Sequence, residues 1–188
     1  MRTAALAITV LVGYAAVAGS QPKIDSWLDA PKPASWNKAS SAIPTAPKID
    51  GAVDPRCRKQ ARPPQLEEDT RVSERGWDLV GAFHGGWQVL VIRGAAGYDG
   101  MCRPRQYQDF VFVRGVFAGT LSPQPSDSRT DGAPTQVFLQ SGTRLTVEYE
   151  RYAATDAACC PSSTTTVTFD VAGDAPVVRP VSAFTAKR

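Results

Sequence analysis

The stretch "TQVFLQSGTRLTVEYERY", residues 135–152, has the pattern of a β-hairpin. Two runs rich in β-branched and aromatic residues flank Ser141-Gly142, where glycine can supply the positive φ of a tight turn. Apolar and polar side chains alternate along the second run: Leu145, Val147 and Tyr149 share one face, and Thr146, Glu148 and Glu150 share the other. This alternation predicts a half-buried strand with one solvated face.

Other stretches of the chain repeat this pattern. "YQDFVFV", Arg114-Gly115 and "VFAGTLS" predict a second hairpin, and "HGG", residues 84–86, is expected to turn the chain into "WQVLVIRG". "TTTVTFDVA" alternates in the same way, and "PVVRPVS" is expected to be an edge strand because Pro180 cannot donate to a central ladder. "PPQLEEDTRVSERGW" predicts one short helix that ends at Gly76. The sequence therefore predicts a mainly β (α+β) antiparallel domain of seven or eight short strands with one N-terminal helix.

Composition bounds the class of protein. The chain has 188 residues, 43% of them hydrophobic, which is enough for one globular domain with extensions. A formal net charge of +3 is too weak to indicate a nucleic-acid partner. "MRTAALAITVLVGYAAVAGSQ" has the build of a secretory signal peptide, and its apolar run is shorter than a transmembrane span requires. We expect no transmembrane segment and a mature protein that is periplasmic or secreted.

The domain organisation follows from these composition changes. Residues 1–20 are the predicted signal peptide, 21–56 a Pro/Ala-rich arm, 57–182 a disulfide-stabilised β domain and 183–188 a C-terminal tail. Six prolines in the arm favour extended conformation over long helices. A pure spacer would not normally carry Trp27 and Trp36, so part of the arm is expected to lie against the domain.

Each possible catalytic or metal-binding pattern in the sequence has a simpler interpretation. The sequence has one histidine, His84, and none of the Cys or His spacings of a zinc site. "DSRTDG", residues 127–132, has Asp at the first and fifth positions of a calcium loop, but Arg129 and Phe138 stand at the third and twelfth, so a polar turn is favoured. Glu148 and Glu150 share a strand face, which a solvated sheet face produces without any chemistry. We therefore predict no catalytic residue, metal or cofactor.

Four cysteines, Cys57, Cys102, Cys159 and Cys160, favour two disulfides in an exported domain. Sequence alone allows three pairings, and the one that joins Cys159 to Cys160 forces a strained intervening peptide. Consecutive residues of an extended chain point to opposite sides. We therefore expect each of these two cysteines to reach a different partner, Cys57 or Cys102.

Several motifs together resemble one family. "GWDLVG", "VLVIRGAAGYDGMCRP", "FVFVRGVFAGTLSP", "DSRTDG" and "VEYERYAATDAACCPSSTTTVTF", within residues 76–171, are similar to the LppP/LprE-type bacterial lipoprotein domain. The resemblance implies an exported cell-envelope protein, and it brings no established activity or catalytic residues. Ser20 stands where a lipoprotein carries its lipid-bearing cysteine, which puts membrane attachment in doubt.

Three functional hypotheses remain. The first is a non-enzymatic envelope protein that binds an unknown envelope protein or ligand. The second is a hydrolase or ligand-processing enzyme that uses the loop carboxylates Asp99, Asp109, Asp127 and Asp131. The third is an inhibitor that presents the loop "GYDGMCRP" to an exported enzyme. The candidate binding-loop residues are Tyr98, Asp99, Arg103, Asp127, Arg129 and Asp131.

We predict that the mature N-terminus carries no lipid. Without a thiol at position 20, no thioether to diacylglycerol can form. Mass spectrometry of the exported protein should give an unacylated peptide that begins near residue 19 or 21. An acylated N-terminal peptide would contradict the prediction.

Overall fold

A computed structural model describes residues 26–51, 54–172 and 174–188. The predicted signal peptide, residues 1–20, lies outside the described residues. A single 3-10 turn, Trp27–Asp29, and two short helices, α1 (Pro55–Arg58) and α2 (Glu67–Ser73), precede the strands. Nine strands follow in the described part of the chain: β1 (Asp78–Leu79), β2 (His84–Gly86), β3 (Val89–Tyr98), β4 (Pro104–Val113), β5 (Val116–Thr120), β6 (Pro134–Ser141), β7 (Arg144–Arg151), β8 (Ser163–Ala172) and β9 (Val177–Lys187).

The described strands form two antiparallel sheets, which confirms the mainly β fold. The first sheet has the order β1-β3-β4-β5, with β2 also paired to β3, and the second has the order β6-β7-β8-β9. The strand count is nine rather than seven or eight because β1 and β2 pair separately with the two ends of the long strand β3. β9 is an edge strand, as Pro180 predicts, but it continues to Lys187, so the expected C-terminal tail is part of the sheet.

The main hydrophobic core lies between the two sheets. Alternate side chains of β3 and β4, such as Val91 and Val111, face the second sheet, where Val147 and Phe169 receive them. All four side chains are at most 1% exposed, and burial of an aliphatic or aromatic side chain of this size contributes about 1.5–3 kcal/mol. The alternation read from the sequence therefore marks the inner faces of a β-sandwich.

A second core covers the outer face of the first sheet. Ile92, Phe110 and Phe112 point away from the sandwich interior and pack with Val72 of α2. Trp77 completes this layer and donates its indole N–H to the Pro44 carbonyl at 2.8 Å, so the arm crosses this face as well. The first sheet is consequently buried on both faces, whereas the second has one solvated face.

The arm is docked, as Trp27 and Trp36 predict. Both indoles pack against the inter-sheet core, and the two rings meet edge-on with centroids 4.9 Å apart. The Trp36 indole N–H donates to the Thr120 carbonyl at 3.2 Å. At its beginning the arm is also tied to the second sheet, because the Arg151 guanidinium donates to Asp29 at 2.7 Å.

Asn37 connects the edges of the two sheets. Its amide nitrogen donates to the carbonyls of Thr120 on β5 and Val178 on β9, at 2.9 and 3.0 Å. Its amide oxygen accepts the Thr120 N–H at 2.9 Å. A Cβ at Gly119, where φ is +132°, would overlap this side chain. The absence of a side chain at position 119 therefore leaves the space that Asn37 occupies. The amide thereby satisfies backbone groups of strand edges that would otherwise be open.

We predict that Asn37→Ala lowers the free energy of unfolding by about 2–4 kcal/mol, because three backbone groups at the sheet edges lose a partner. Gly119→Ala should have a similar effect because it displaces the same amide. The double variant should be no less stable than the worse single variant, since both changes break one interaction. Chemical denaturation measures all three. Lys38→Ala, at the exposed neighbouring position, is the control, and an Asn37 effect no larger than the Lys38 effect would contradict the prediction.

Candidate functional site

The turns of several hairpins meet at one end of the sandwich and enclose a cleft of about 570 Å³. We call it the hairpin-end cleft. Its volume lies within the range of small-ligand sites in proteins. The β2–β3, β4–β5 and β6–β7 turns and the connection from β8 to β9 all contribute to its lining: Trp87, Gln88, Arg114, Gly142, Thr143, Arg144, Asp170, Asp174 and Pro176, together with Val113 and Val171.

Trp87 and Gln88 form the β2–β3 turn in an unfavourable backbone conformation. Their φ angles are +48° and +68°, in the left-handed region that tight hairpin turns require and that Asn and Gly fill most easily. A bulky side chain in this region costs about 1–2 kcal/mol. The Trp87 side chain is also 62% exposed, so this indole recovers little of the free energy that burial would supply.

The neighbouring turns pack closely around Trp87. The Arg114 N–H donates to the Gln88 carbonyl at 2.9 Å, which joins the β4–β5 turn to the β2–β3 turn. A Cβ at Gly142 would lie 3.3 Å from the Trp87 carbonyl oxygen and 3.4 Å from its Cβ. Glycine at position 142 therefore lets the β6–β7 turn approach, and the three turns hold one another in place.

The charged groups of the cleft are balanced. Arg144 on β7 donates to both carboxylate oxygens of its cross-strand partner Asp170, at 2.8 and 3.3 Å. The hydrogen bond to Asp170 raises the pKa of the Arg144 guanidinium. Arg114 and Asp174 add one further charge of each sign at the exposed rim. The lining thus offers donors, acceptors and one indole without a net charge.

A second cleft, of about 580 Å³, lies where β2 approaches β6. We call it the seam groove. Trp87 lines it as well as the hairpin-end cleft, so the indole stands between the two. Phe83 and Phe138 flank this groove and are 36% and 46% exposed. The β2–β6 side of the sandwich therefore presents aromatic surface, whereas Asn37 covers the β5–β9 side.

His84 lies on β2 and lines the seam groove, not a turn as predicted. The predicted "HGG" turn is wrong because Gly85 and Gly86 pair with β3, and the chain reverses at Trp87 and Gln88. A Cβ at Gly86 would lie 3.6 Å from the Leu139 side chain, an ordinary van der Waals distance, so packing does not require glycine at this position. Sequence reasoning missed the site because it assigned the turn to glycines. The signal that could have found it is the spacing of the apolar run, which begins only at Val89.

Tyr98 ends β3, and Asp99 and Arg103 belong to the β3–β4 turn that follows, at the opposite end of the sandwich. Asp99 accepts hydrogen bonds from the backbone N–H groups of Met101 and Arg103, both at 2.9 Å, and pairs with the Arg103 guanidinium. Burial raises the pKa of Asp99, but these hydrogen bonds outweigh it and the net pKa lies below its usual value. Met101 is 73% exposed at the tip. Burial raises the pKa of Tyr98 to about 12.

Asp127 and Asp131 each stabilise a separate part of the backbone. Asp127 accepts the Gln106 N–H at 2.8 Å, and Asp131 accepts the Tyr152 N–H and the Arg151 guanidinium, both at 2.9 Å. Arg129 lies between them in a left-handed turn, φ +63°. The polar turn predicted for residues 127–132 agrees with this arrangement.

Asp109 is a buried structural carboxylate. It lies on β4 opposite Arg93, which donates to both of its oxygens at 2.7 and 2.8 Å, and its side chain is 2% exposed. Asp99, Asp109, Asp127 and Asp131 thus have separate backbone or guanidinium partners, and no described cleft brings them together. Glu150 accepts the Tyr152 hydroxyl at 3.1 Å on the solvated sheet face, consistent with the structural interpretation of Glu148 and Glu150.

The cysteine pairing differs from the expected one. Cys57 of α1 is bonded to Cys102 of the β3–β4 turn, with Cα atoms 4.8 Å apart. Cys159 and Cys160 are paired with each other in the connection from β7 to β8. The expectation that these two reach Cys57 and Cys102 is wrong because Cys57 and Cys102 lie beside the first sheet, whereas the β7–β8 connection belongs to the second.

These features define a disulfide-bonded antiparallel β-sandwich with a ligand-sized cleft at its hairpin end. None of the helices in the described residues has the length and hydrophobicity of a membrane span. Residues 87–174 match the family described as LppP/LprE lipoprotein, which confirms the resemblance seen in the sequence. The match begins at Trp87 and ends at Asp174, both of which line the hairpin-end cleft. The match to a lipoprotein family supports an exported envelope protein. No curated protein and no solved structure matches the chain.

Peptide mapping under non-reducing conditions tests the pairing. We predict a linked peptide that joins Cys57 to Cys102, and a separate peptide in which Cys159 and Cys160 form an internal bridge. Replacing both Cys57 and Cys102 with serine should lower the free energy of unfolding by about 2–4 kcal/mol, because the bridge closes a long loop. A linked peptide between either vicinal cysteine and Cys57 or Cys102 would contradict the arrangement.

Proposed function

We propose that this protein is an exported, non-enzymatic binding module of the cell envelope that takes its ligand in the hairpin-end cleft. The observation that carries the proposal is Trp87, an exposed indole on a backbone conformation that most residues avoid. Asn-Gly at this turn would serve the fold better, so the two residues present are costly for stability. A residue that costs stability and stands in a ligand-sized cleft supports a role in binding.

Binding is favoured over catalysis by the way the carboxylates are held. Asp99, Asp127 and Asp131 accept backbone N–H groups, and Asp109 is closed off by Arg93. A general acid or base must reach a substrate, whereas these oxygens already stabilise the protein itself. Asp170 in the cleft is likewise engaged by Arg144. This arrangement supports a site that orients a ligand without transforming it.

The location assigned to the ligand is testable in intact cells. A photo-reactive phenylalanine analogue replaces Trp87, Met101 or Phe184 in turn, since the three side chains are similarly exposed, at 62%, 73% and 72%. We expect an adduct from position 87 and none from position 184, which does not line the cleft. An adduct from position 101 alone would contradict the cleft and favour presentation of the β3–β4 loop to a target enzyme.

The Trp87→Asn variant separates binding from folding. Asparagine tolerates the left-handed conformation, so the free energy of unfolding should not fall and should rise by up to about 1 kcal/mol. The variant should nevertheless lose the ligand identified by cross-linking. Ligand retention together with a lower unfolding free energy would show that Trp87 serves the fold and would contradict the proposal.

A further inference from the structure

We infer that the ligand of the hairpin-end cleft is a neutral oligosaccharide. The inference rests on the proposed function and deepens it by assigning the chemical class of the ligand. It starts from the lining of the cleft, which combines one exposed indole with charged and hydroxyl side chains from several turns. The ligand must complement both kinds of surface at once.

The charges of the cleft argue against a strongly charged ligand. Arg114 and Arg144 are matched by Asp170 and Asp174, so an anion that approaches the guanidiniums also meets two carboxylates. A cation that approaches the two carboxylates likewise meets the two guanidiniums. Arg144 and Asp170 already neutralise each other through two hydrogen bonds, and a charged ligand would have to compete with that pair. A ligand without net charge avoids these conflicts.

The same groups argue against a lipid tail. Covering the guanidiniums and carboxylates with hydrocarbon would remove them from water without supplying new hydrogen bonds, which is unfavourable. Saccharide hydroxyls donate to carboxylates and accept from guanidiniums, so each charged side chain of the cleft keeps a partner. Thr143 adds a hydroxyl that can do both. A neutral polyhydroxylated ligand therefore fits the polar part of the lining.

The indole accounts for the apolar part of the ligand. A sugar ring has C–H groups on its faces and hydroxyls around its edge, so it can lie on the Trp87 ring while its hydroxyls reach the charged side chains. The apolar face of an aromatic ring suits a ligand that presents C–H groups on one face and hydroxyls at its edge. Trp87 provides such a face at the boundary of the cleft, where it is 62% exposed.

The position of Trp87 between the two clefts predicts more than one sugar unit. The hairpin-end cleft and the seam groove share this residue, and the seam groove continues the aromatic surface with Phe83 and Phe138. One unit on Trp87 would leave Phe138 exposed, whereas a longer chain covers both rings. An oligosaccharide should therefore bind more tightly than the corresponding monosaccharide.

The test uses the full mature protein and an array of neutral and anionic microbial glycans, followed by titration of the best ligand. Affinity is measured by isothermal titration calorimetry in every variant, and the location of binding is read from the indole N–H signal of Trp87 in ¹H–¹⁵N spectra, assigned by its absence in Trp87→Phe. We expect a neutral oligosaccharide to shift this signal. Trp87→Asn and Asp170→Asn should weaken binding at least tenfold, and Phe138→Ala should weaken the binding only of chains longer than one sugar unit. Phe184→Ala, an exposed aromatic outside both clefts, should bind normally.

Two results would overturn the inference, and they differ in what they say of the proposed function. If only anionic glycans shift the Trp87 signal, the ligand class is wrong and the cleft remains a binding site. If no glycan shifts it and photo-cross-linking from position 87 yields no adduct, both the ligand class and the proposed function are wrong.

Discussion

The amide of Asn37 is the contact on which the rest of this structure depends. It joins Thr120 on the last strand of one sheet to Val178 on the last strand of the other, where β5 approaches β9. Gly119 leaves the space for it, and Trp36 fixes the chain on one side by donating to Thr120. A Pro-rich segment that resembles a spacer is therefore a structural element of the sandwich.

This constraint separates the two sides of the sandwich. On the β5–β9 side the arm covers the strand edges, so edge groups that could pair with another chain are occupied. On the β2–β6 side the seam groove and the hairpin-end cleft remain accessible, with Trp87 between them. On this accessible side, three turns pack tightly against one another. Their contacts hold the backbone of Trp87 in a conformation that would be unfavourable by itself.

Local patterns predict the strands well and the contacts between them poorly. The alternation of β7 and β8 reflects burial of one face, which is a local property, and Trp27 and Trp36 indicate a docked arm because exposed indoles are costly. The turn at Trp87 was missed because packing against Gly142 overrides the conformational preference of the residue. The disulfide pairing was wrong because alternation does not say to which sheet a loop belongs. The hairpin-end cleft is assembled from four separate stretches, and no single stretch indicates it.

Amide hydrogen exchange at Thr120 tests the central claim most directly. This N–H donates to the Asn37 amide oxygen, so it can exchange only when the arm leaves the sheet edge. If the arm is part of the sandwich, the exchange free energy of the Thr120 amide should equal that of amides in the central strands β4 and β8. All of these amides would then exchange only through global unfolding. Exchange at Thr120 through a local opening several kcal/mol below the global value, with β4 and β8 still protected, would show that the arm detaches by itself and would contradict this account.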